Sequence, residues 1–85
     1  MSAKLFYLDE IKSGQKAEVK EIHSGHNAAD RLAEMGIVPG TVVKVVASYP
    51  FKGPVIIEVD GTRMALGRGL ARRIKVSDCG KETGE

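Results

Sequence analysis

The residues best suited to bind a metal ion include two closely spaced histidines. His23 and His26 stand three residues apart, near Asp30 in the sequence, and Cys79 is the single cysteine. Imidazole, carboxylate and thiolate groups are ordinary ligands of transition metals. However, the histidines fall in a loop between a predicted strand and a predicted helix, and no second matched pair of ligands occurs. We interpret them as exposed loop histidines, with at most weak binding of a divalent transition metal and no required cofactor.

The nucleophiles and glycines do not form a pattern typical of an enzyme. Only two histidines are present, and no serine has an evident histidine and acid to activate it. The segment Gly67-Arg68-Gly69 is too short for a phosphate-binding loop, and no lysine–serine pair follows it. We therefore predict a protein that acts by binding and has no catalytic residues.

The composition indicates one small domain. The chain has 85 residues, of which 42% are hydrophobic, so it can build a single core. Its apolar runs, such as Val55-Ile56-Ile57, are far shorter than the ~20 residues of a membrane helix. Residues 1–12 lack the apolar stretch of a signal peptide, and one cysteine excludes an intrachain disulfide. We expect a cytoplasmic protein that is not embedded in a membrane.

The charge distribution offers a possible interaction surface. The formal net charge is only +2, which gives little general attraction for nucleic acid. Basic residues nevertheless crowd the last third of the sequence, at Arg63, Arg68, Arg72, Arg73 and Lys75. Most of these basic side chains are explained by positions on the solvent-exposed outer faces of the predicted elements. A nucleic-acid-binding barrel remains an alternative interpretation, although we expect no nucleic acid partner.

Half of the four aromatic residues fall in one predicted loop. The segment 49–54 contains two prolines and a glycine, which interrupt any regular strand. An aromatic residue on a loop is a plausible anchor for a partner protein, although Phe51 could instead pack over the barrel mouth. The candidate partner-binding residues are Tyr49, Pro50, Phe51, Lys52, Arg68 and Arg72.

Short strands separated by turns make up most of the predicted structure. Alternating apolar residues predict strands over 15–23, 41–49, 55–59, 62–66 and 73–77. A helix is predicted over 27–35, with Asn27 as its N-cap, and short helical turns over 5–11 and 67–72. Ile22 is out of phase with Val19, which predicts a β-bulge near Lys20 and Glu21. Residues 78–85 are polar and are expected to form a flexible tail after a domain of residues 1–77.

Three turns are expected to determine the chain path. Gly36 follows the helix at the position that favours a left-handed backbone, and Ile37 should fold back onto the helix. Pro39 and Gly40 occupy the central positions of a type II turn. Asp60 and Gly61 predict a two-residue type I′ hairpin. This hairpin would pair Ile57 with Met64, placing apolar side chains on one face. The structural residues are therefore Gly36, Ile37, Pro39, Gly40, Asp60 and Gly61.

The order of these motifs resembles the FeoA family, whose members have an SH3-like barrel. The resemblance extends from Leu5 to Val76 and lies in four segments: Leu5-x-x-Leu8 before Gly14; Ala17-x-Val19-x-x-Ile22; Arg31-Leu32-Ala33-Glu34-Met35-Gly36-Ile37-Val38-Pro39-Gly40-Thr41; and, after the hairpin, Ala65-Leu66-x-x-x-Leu70-Ala71-x-x-Ile74-x-Val76.

The resemblance implies a mainly β, SH3-like barrel of about five strands, with one helix between the first two. It also implies a non-enzymatic accessory protein of ferrous iron uptake that binds the cytosolic part of a FeoB-type GTPase permease. The same fold occurs as the C-terminal module of iron- or manganese-dependent repressors, so a metal-sensing module using His23 and His26 is another alternative. None of the matched motifs is a contact site that can be transferred residue by residue.

Overall fold

A six-stranded antiparallel sheet forms most of the structure, a computed structural model that describes residues 4–23, 27–49 and 53–81. The strands are β1 (Leu5–Tyr7), β2 (Gln15–Ile22), β3 (Val42–Ser48), β4 (Val55–Val59), β5 (Thr62–Leu66) and β6 (Ile74–Lys81). A 3-10 helix, Leu8–Glu10, follows β1. Helix α1 (Ala28–Glu34) joins β2 to β3, and the short helix α2 (Arg68–Ala71) joins β5 to β6.

The strands are hydrogen-bonded in the order β1-β6-β2-β3-β4-β5, so that β1 and β5 are the outer strands. One face of this sheet holds the core, because alternate residues of each strand point to the same side. Helix α1 adds Leu32 to this core, and the 3-10 helix adds Leu8. The largest fully buried side chains are Leu8, Leu32, Ile37, Ile57, Leu66, Ile74, Val19, Val43, Val45, Val55 and Val76.

The hairpin of β4 and β5 has the predicted bounds and register. Val59 lies opposite Thr62, and Ile57 lies opposite Met64. Asp60 and Gly61 have φ of 51° and 80°, as a type I′ turn requires. Ile57 is fully buried and Met64 packs against the same core, so both side chains lie on the inner face.

The predicted bulge in β2 is confirmed. The pairing of β2 with β6 shifts between Val19 and Glu21, which leaves Lys20 as the extra residue. Ile22 is consequently turned back to the inner face, where it packs against the core. A second irregularity lies between Lys16 and Ala17.

The end of α1 has the predicted Schellman geometry. Gly36 has a φ of 86°. The Gly36 amide donates to the Ala33 carbonyl, and the Ile37 amide donates to the Leu32 carbonyl, each over 2.9 Å. Ile37 is fully buried beside Leu32 in the core.

The following turn also has the predicted form. The Thr41 amide donates to the Val38 carbonyl over 3.0 Å, and Gly40 has a φ of 100°. A type II turn needs a positive φ at this third position. The two turns together set the path by which the chain leaves α1 and enters β3.

The structure differs from the sequence-based predictions at three places. The stretch predicted as one helical turn over 5–11 is divided into strand β1 and the 3-10 helix, so there are six strands in the described part of the chain rather than five. Asn27 precedes α1, but its φ is 65° and its side chain makes no capping hydrogen bond. Capping requires an extended backbone, whereas this asparagine has a left-handed backbone, which asparagine tolerates better than most residues.

The third difference concerns the C-terminal strand. β6 continues to Lys81 and pairs with β2 along most of its length. Regular structure therefore extends four residues beyond the predicted domain boundary at residue 77. The assignment of a flexible tail to the final residues 82–85 stays a prediction, because they lie outside the described residues.

Candidate partner-binding site

Asp9 contacts both of the predicted partner-binding arginines. Its carboxylate oxygen Oδ2 lies 3.1 Å from Arg72 Nε and 3.6 Å from Arg68 Nη1. The Asp9 side chain is only 9% exposed. Leu8, which precedes Asp9, and Ala71, which precedes Arg72, are both fully buried. Both belong to the core where the 3-10 helix meets α2. Arg68 is the first residue of α2 and Arg72 is its C-cap, four positions later, so the two side chains share one face.

Arg68 also holds the start of the loop between β3 and β4. Its Nη2 donates a hydrogen bond to the backbone carbonyl of Tyr49. The Arg68 side chain is 20% exposed, and its Nε is buried without a hydrogen-bond partner among the described residues. One guanidinium group therefore links three segments that are distant in sequence: the 3-10 helix, α2 and the β3–β4 loop.

Tyr49 is the most exposed of the large hydrophobic residues in the described part of the chain, at 53%. Its backbone is held on both sides, because its carbonyl accepts from Arg68 and its amide donates to the Pro54 carbonyl over 3.3 Å. Gly53 packs against it so closely that a Cβ at that position would lie 2.5 Å from the Tyr49 Cβ. An exposed aromatic side chain thus stands on an anchored backbone. The other candidates from this loop, Pro50, Phe51 and Lys52, lie outside the described residues.

A shallow cleft of about 390 Å³ adjoins Asp9 and is lined by Tyr7, Glu10 and Arg72 as well. Tyr7 is 39% exposed, and the Lys75 ammonium lies 5.2 Å from its ring centroid, a cation–π distance. The Tyr7 amide donates to Glu10 Oε1 over 2.7 Å. The cleft therefore combines an aromatic ring, two carboxylates and the exposed Arg72 side chain.

Three residues of this site were absent from the sequence-based candidates: Tyr7, Asp9 and Glu10. The one available signal was the pair of acidic residues at 9 and 10, which could neutralise the basic C-terminal third. Nothing in the sequence indicates which basic residues these two acidic residues contact, because Asp9 and Arg72 are 63 positions apart.

The basic residues do not form one continuous cationic surface among the described residues. Arg68 and Arg72 share the single negative charge of Asp9, and Arg63 Nε lies 3.7 Å from Glu58 Oε1 across the β4–β5 hairpin. Lys75 lies over the Tyr7 ring. This distribution gives little support to nucleic-acid binding, which depends on cations that can reach several phosphates.

Of the two histidine candidates, only His23 lies among the described residues. His23 Nε2 lies 3.7 Å from Glu21 Oε1, and its ring centroid is 6.5 Å from that of Tyr7. His26 lies outside the described residues. Within residues 4–23, 27–49 and 53–81 there is no group of three or more histidine, cysteine or acidic side chains that could hold a metal ion. The interpretation of His23 and His26 as loop histidines with at most weak metal binding stays a prediction.

Removing the charge of Asp9 is expected to loosen this site. Asp9→Asn should lower the free energy of unfolding by about 1–2 kcal/mol, because two charge-assisted contacts of a nearly buried carboxylate are lost. Asp30→Asn is the matched control, since Asp30 is exposed in the first turn of α1; its effect should stay below about 0.5 kcal/mol. Urea unfolding measures both. Equal effects of the two substitutions would contradict the proposed linking role of Asp9.

Comparison with known proteins identifies the family. The model of the family described as "FeoA domain" matches residues 6–78. This chain belongs to the FeoA domain family. A Methanocaldococcus jannaschii protein named "Putative Fe(2+) transport protein A" is 45% identical over 67 residues, which are 79% of this chain and 79% of that protein.

Solved FeoA structures share the fold. A protein whose crystal structure is known, an iron uptake regulatory protein (FeoA), is 43% identical, with a TM-score of 0.81 over 88% of this chain and 99% of the other. A manganese-dependent transcriptional repressor superposes with a TM-score of 0.83 over 92% of this chain but only 44% of its own. At 22% identity it is evidence of the fold alone. The prediction of a mainly β, SH3-like FeoA fold is confirmed.

Proposed function

We propose that this protein is an accessory protein of ferrous iron uptake that binds the cytosolic part of a FeoB-type GTPase permease. Support comes from the family match over residues 6–78 and from two similar proteins whose names refer to Fe(2+) transport and iron uptake. No helix of the described residues is long and apolar enough to cross a membrane. The proposal places the protein at the cytoplasmic face of the permease.

The exposed Tyr49 side chain on its anchored backbone is the observation that favours this mode of action. Residues that contribute most to protein–protein binding are enriched in tyrosine and arginine. An anchored backbone lowers the entropy lost on binding, because the loop is already ordered. The surface formed by Tyr7, Asp9, Glu10, Tyr49, Arg68 and Arg72, called here the Tyr49 surface, offers such an aromatic beside an oriented arginine pair.

In this proposal, the protein changes transport by binding the permease and does not itself catalyse a reaction. A protein that binds one conformation of the permease more tightly than another shifts the permease toward that conformation. GTP hydrolysis and iron movement would remain with the permease. The Tyr49 surface would act on them only through this difference in affinity.

Truncation of Tyr49 provides the test. Tyr49→Ala is expected to raise the dissociation constant for the isolated cytosolic domain of the permease at least tenfold, corresponding to the loss of about 1.4 kcal/mol or more. Val42→Ala is the control, because Val42 is a similarly exposed apolar residue at 49% but lies outside the Tyr49 surface; its effect should stay below about twofold.

Titration calorimetry should be done with the permease domain bound to GTP analogue and to GDP. Binding that is unchanged by Tyr49→Ala in both nucleotide states would rule out the Tyr49 surface. No binding of the unmodified protein in either state would reject the adaptor role itself.

A further inference from the structure

The two outer strands of the sheet differ in whether the backbone groups on their outward edges have hydrogen-bond partners. At β1, the Tyr7 amide donates to the Glu10 carboxylate over 2.7 Å, so an outward donor of that edge is already occupied by the protein's own side chain. At β5, only the edge facing β4 is paired among the described residues. A strand edge with unpaired backbone groups is a template for another strand.

The register of the hairpin identifies which groups point outward. Because a two-residue loop joins Val59 to Thr62, that pair exchanges two backbone hydrogen bonds, and so do the pairs at Met64 and Leu66. The N–H and C=O groups of the intervening residues, Arg63 and Ala65, must therefore point away from β4. Both residues are exposed, and within residues 4–23, 27–49 and 53–81 no strand other than β4 pairs with β5, which leaves these four backbone groups for a partner strand.

We propose that β5 pairs with β5 of a second copy of this chain, forming a two-fold symmetric, antiparallel dimer. Only one antiparallel register uses all four outward groups of each strand. It sets Arg63 opposite Ala65 of the second copy, and Met64 opposite Met64 at the symmetry axis. This contact is isologous and closed, as most homodimers are. It is independent of the Tyr49 surface and of the function proposed above.

The charge and size of the side chains along β5 favour a second copy of this chain as the partner strand. The register that sets Arg63 against Arg63 of the second copy would form only two hydrogen bonds and would oppose like charges, which destabilises a strand pair. The four-bond register instead sets each long arginine side chain against a small alanine. On the inner side, the two half-buried Met64 side chains would meet. The edge can thus pair with itself through four backbone hydrogen bonds without setting like charges directly opposite each other.

The dimer should be weak, because two five-residue strands bury less area than the about 1,200 Å² or more of a stable interface. We expect a dissociation constant on the order of 0.1–1 mM.

Two substitutions of opposite charge at one exposed position test the register. Ala65→Glu places a carboxylate opposite Arg63 twice in the dimer and should tighten it about threefold to thirtyfold. Ala65→Lys opposes like charges and should weaken it by a similar factor.

Sedimentation equilibrium of the full chain from about 0.05 to 2 mM measures the three dissociation constants, a range that brackets weak interfaces. Amide NMR spectra across the same concentrations should show shifts centred on Arg63 and Ala65. Thermal unfolding of each variant checks that the monomer is intact. A monomer at every concentration would overturn the proposal, and so would a dimer that is indifferent to both substitutions or shows its shifts elsewhere. Shifts at these amides that appear only when another protein is added would also overturn it.

Discussion

Ile57→Ala is expected to lower the free energy of unfolding by about 3–4 kcal/mol. Ile57 is fully buried in β4, at the centre of the core, and faces the same side as its cross-strand partner Met64. Removing three carbons there leaves a cavity that the rigid sheet cannot close. A domain of this size is stabilised by only about 5–10 kcal/mol. The melting temperature in a calorimetric scan should therefore fall by roughly 12–30 °C.

The neighbouring residue supplies the matched control. Ile56 has the same side chain in the same strand, but it is only half-buried and points to the other face of the sheet. Ile56→Ala should cost less than about 1.5 kcal/mol. Chemical denaturation of the two variants compares them directly. Equal losses, or a greater loss at Ile56, would mean that the register of the hairpin is incorrect and that the core lies on the other face.

Gly36→Val is expected to lower the free energy of unfolding by about 2–3 kcal/mol. The cost arises from the backbone, because Gly36 has a φ of 86° and a Cβ there would meet no atom within 4 Å. A β-branched residue is strongly disfavoured in this left-handed conformation. Either the strain is retained, or the two hydrogen bonds that close the end of α1 are lost. Loss of these bonds would also displace the buried Ile37.

Gly69→Val is the control for Gly36→Val. Gly69 also has open space around its Cα, but its φ is not positive. It lies in α2, where valine is no worse than glycine in helix propensity. The free energy of unfolding should therefore change by less than about 0.5 kcal/mol. A similar loss at the two glycines, measured by urea unfolding, would show that added volume rather than backbone conformation is responsible.

The features predicted correctly are those determined by neighbouring residues. The β4–β5 hairpin follows from Asp60 and Gly61, which tolerate a positive φ, and from the apolar alternation on either side. The end of α1 follows in the same way from Gly36 and Ile37. The bulge in β2 could be inferred because Ile22 breaks the alternation, and a strand with one buried face must restore it.

The features that were missed depend on contacts between distant residues. β1 has only three residues, and its strand conformation comes from pairing with β6, about 70 positions later. The last part of β6 is polar and contains Gly80, so no apolar alternation indicates a strand, yet β2 supplies its hydrogen-bond partners. Such pairing can override a weak local preference.

The same reasoning applies to the candidate site. Tyr49, Arg68 and Arg72 could be nominated from residue type and position, and the structure brings them to one surface. Asp9, which orients both arginines, could not be nominated, because its partners are 59 and 63 positions away. Chain topology alone brings the 3-10 helix against α2.

The most direct test of the adaptor role is to map the surface that contacts the permease. The ¹⁵N-labelled protein would be titrated with the unlabelled cytosolic domain of a FeoB-type permease, and the loss or shift of each amide signal recorded. We predict changes concentrated at Tyr7, Asp9, Tyr49, Arg68 and Arg72. Changes confined to other faces, or a spectrum unaltered by an excess of the permease domain in both nucleotide states, would contradict the proposed function.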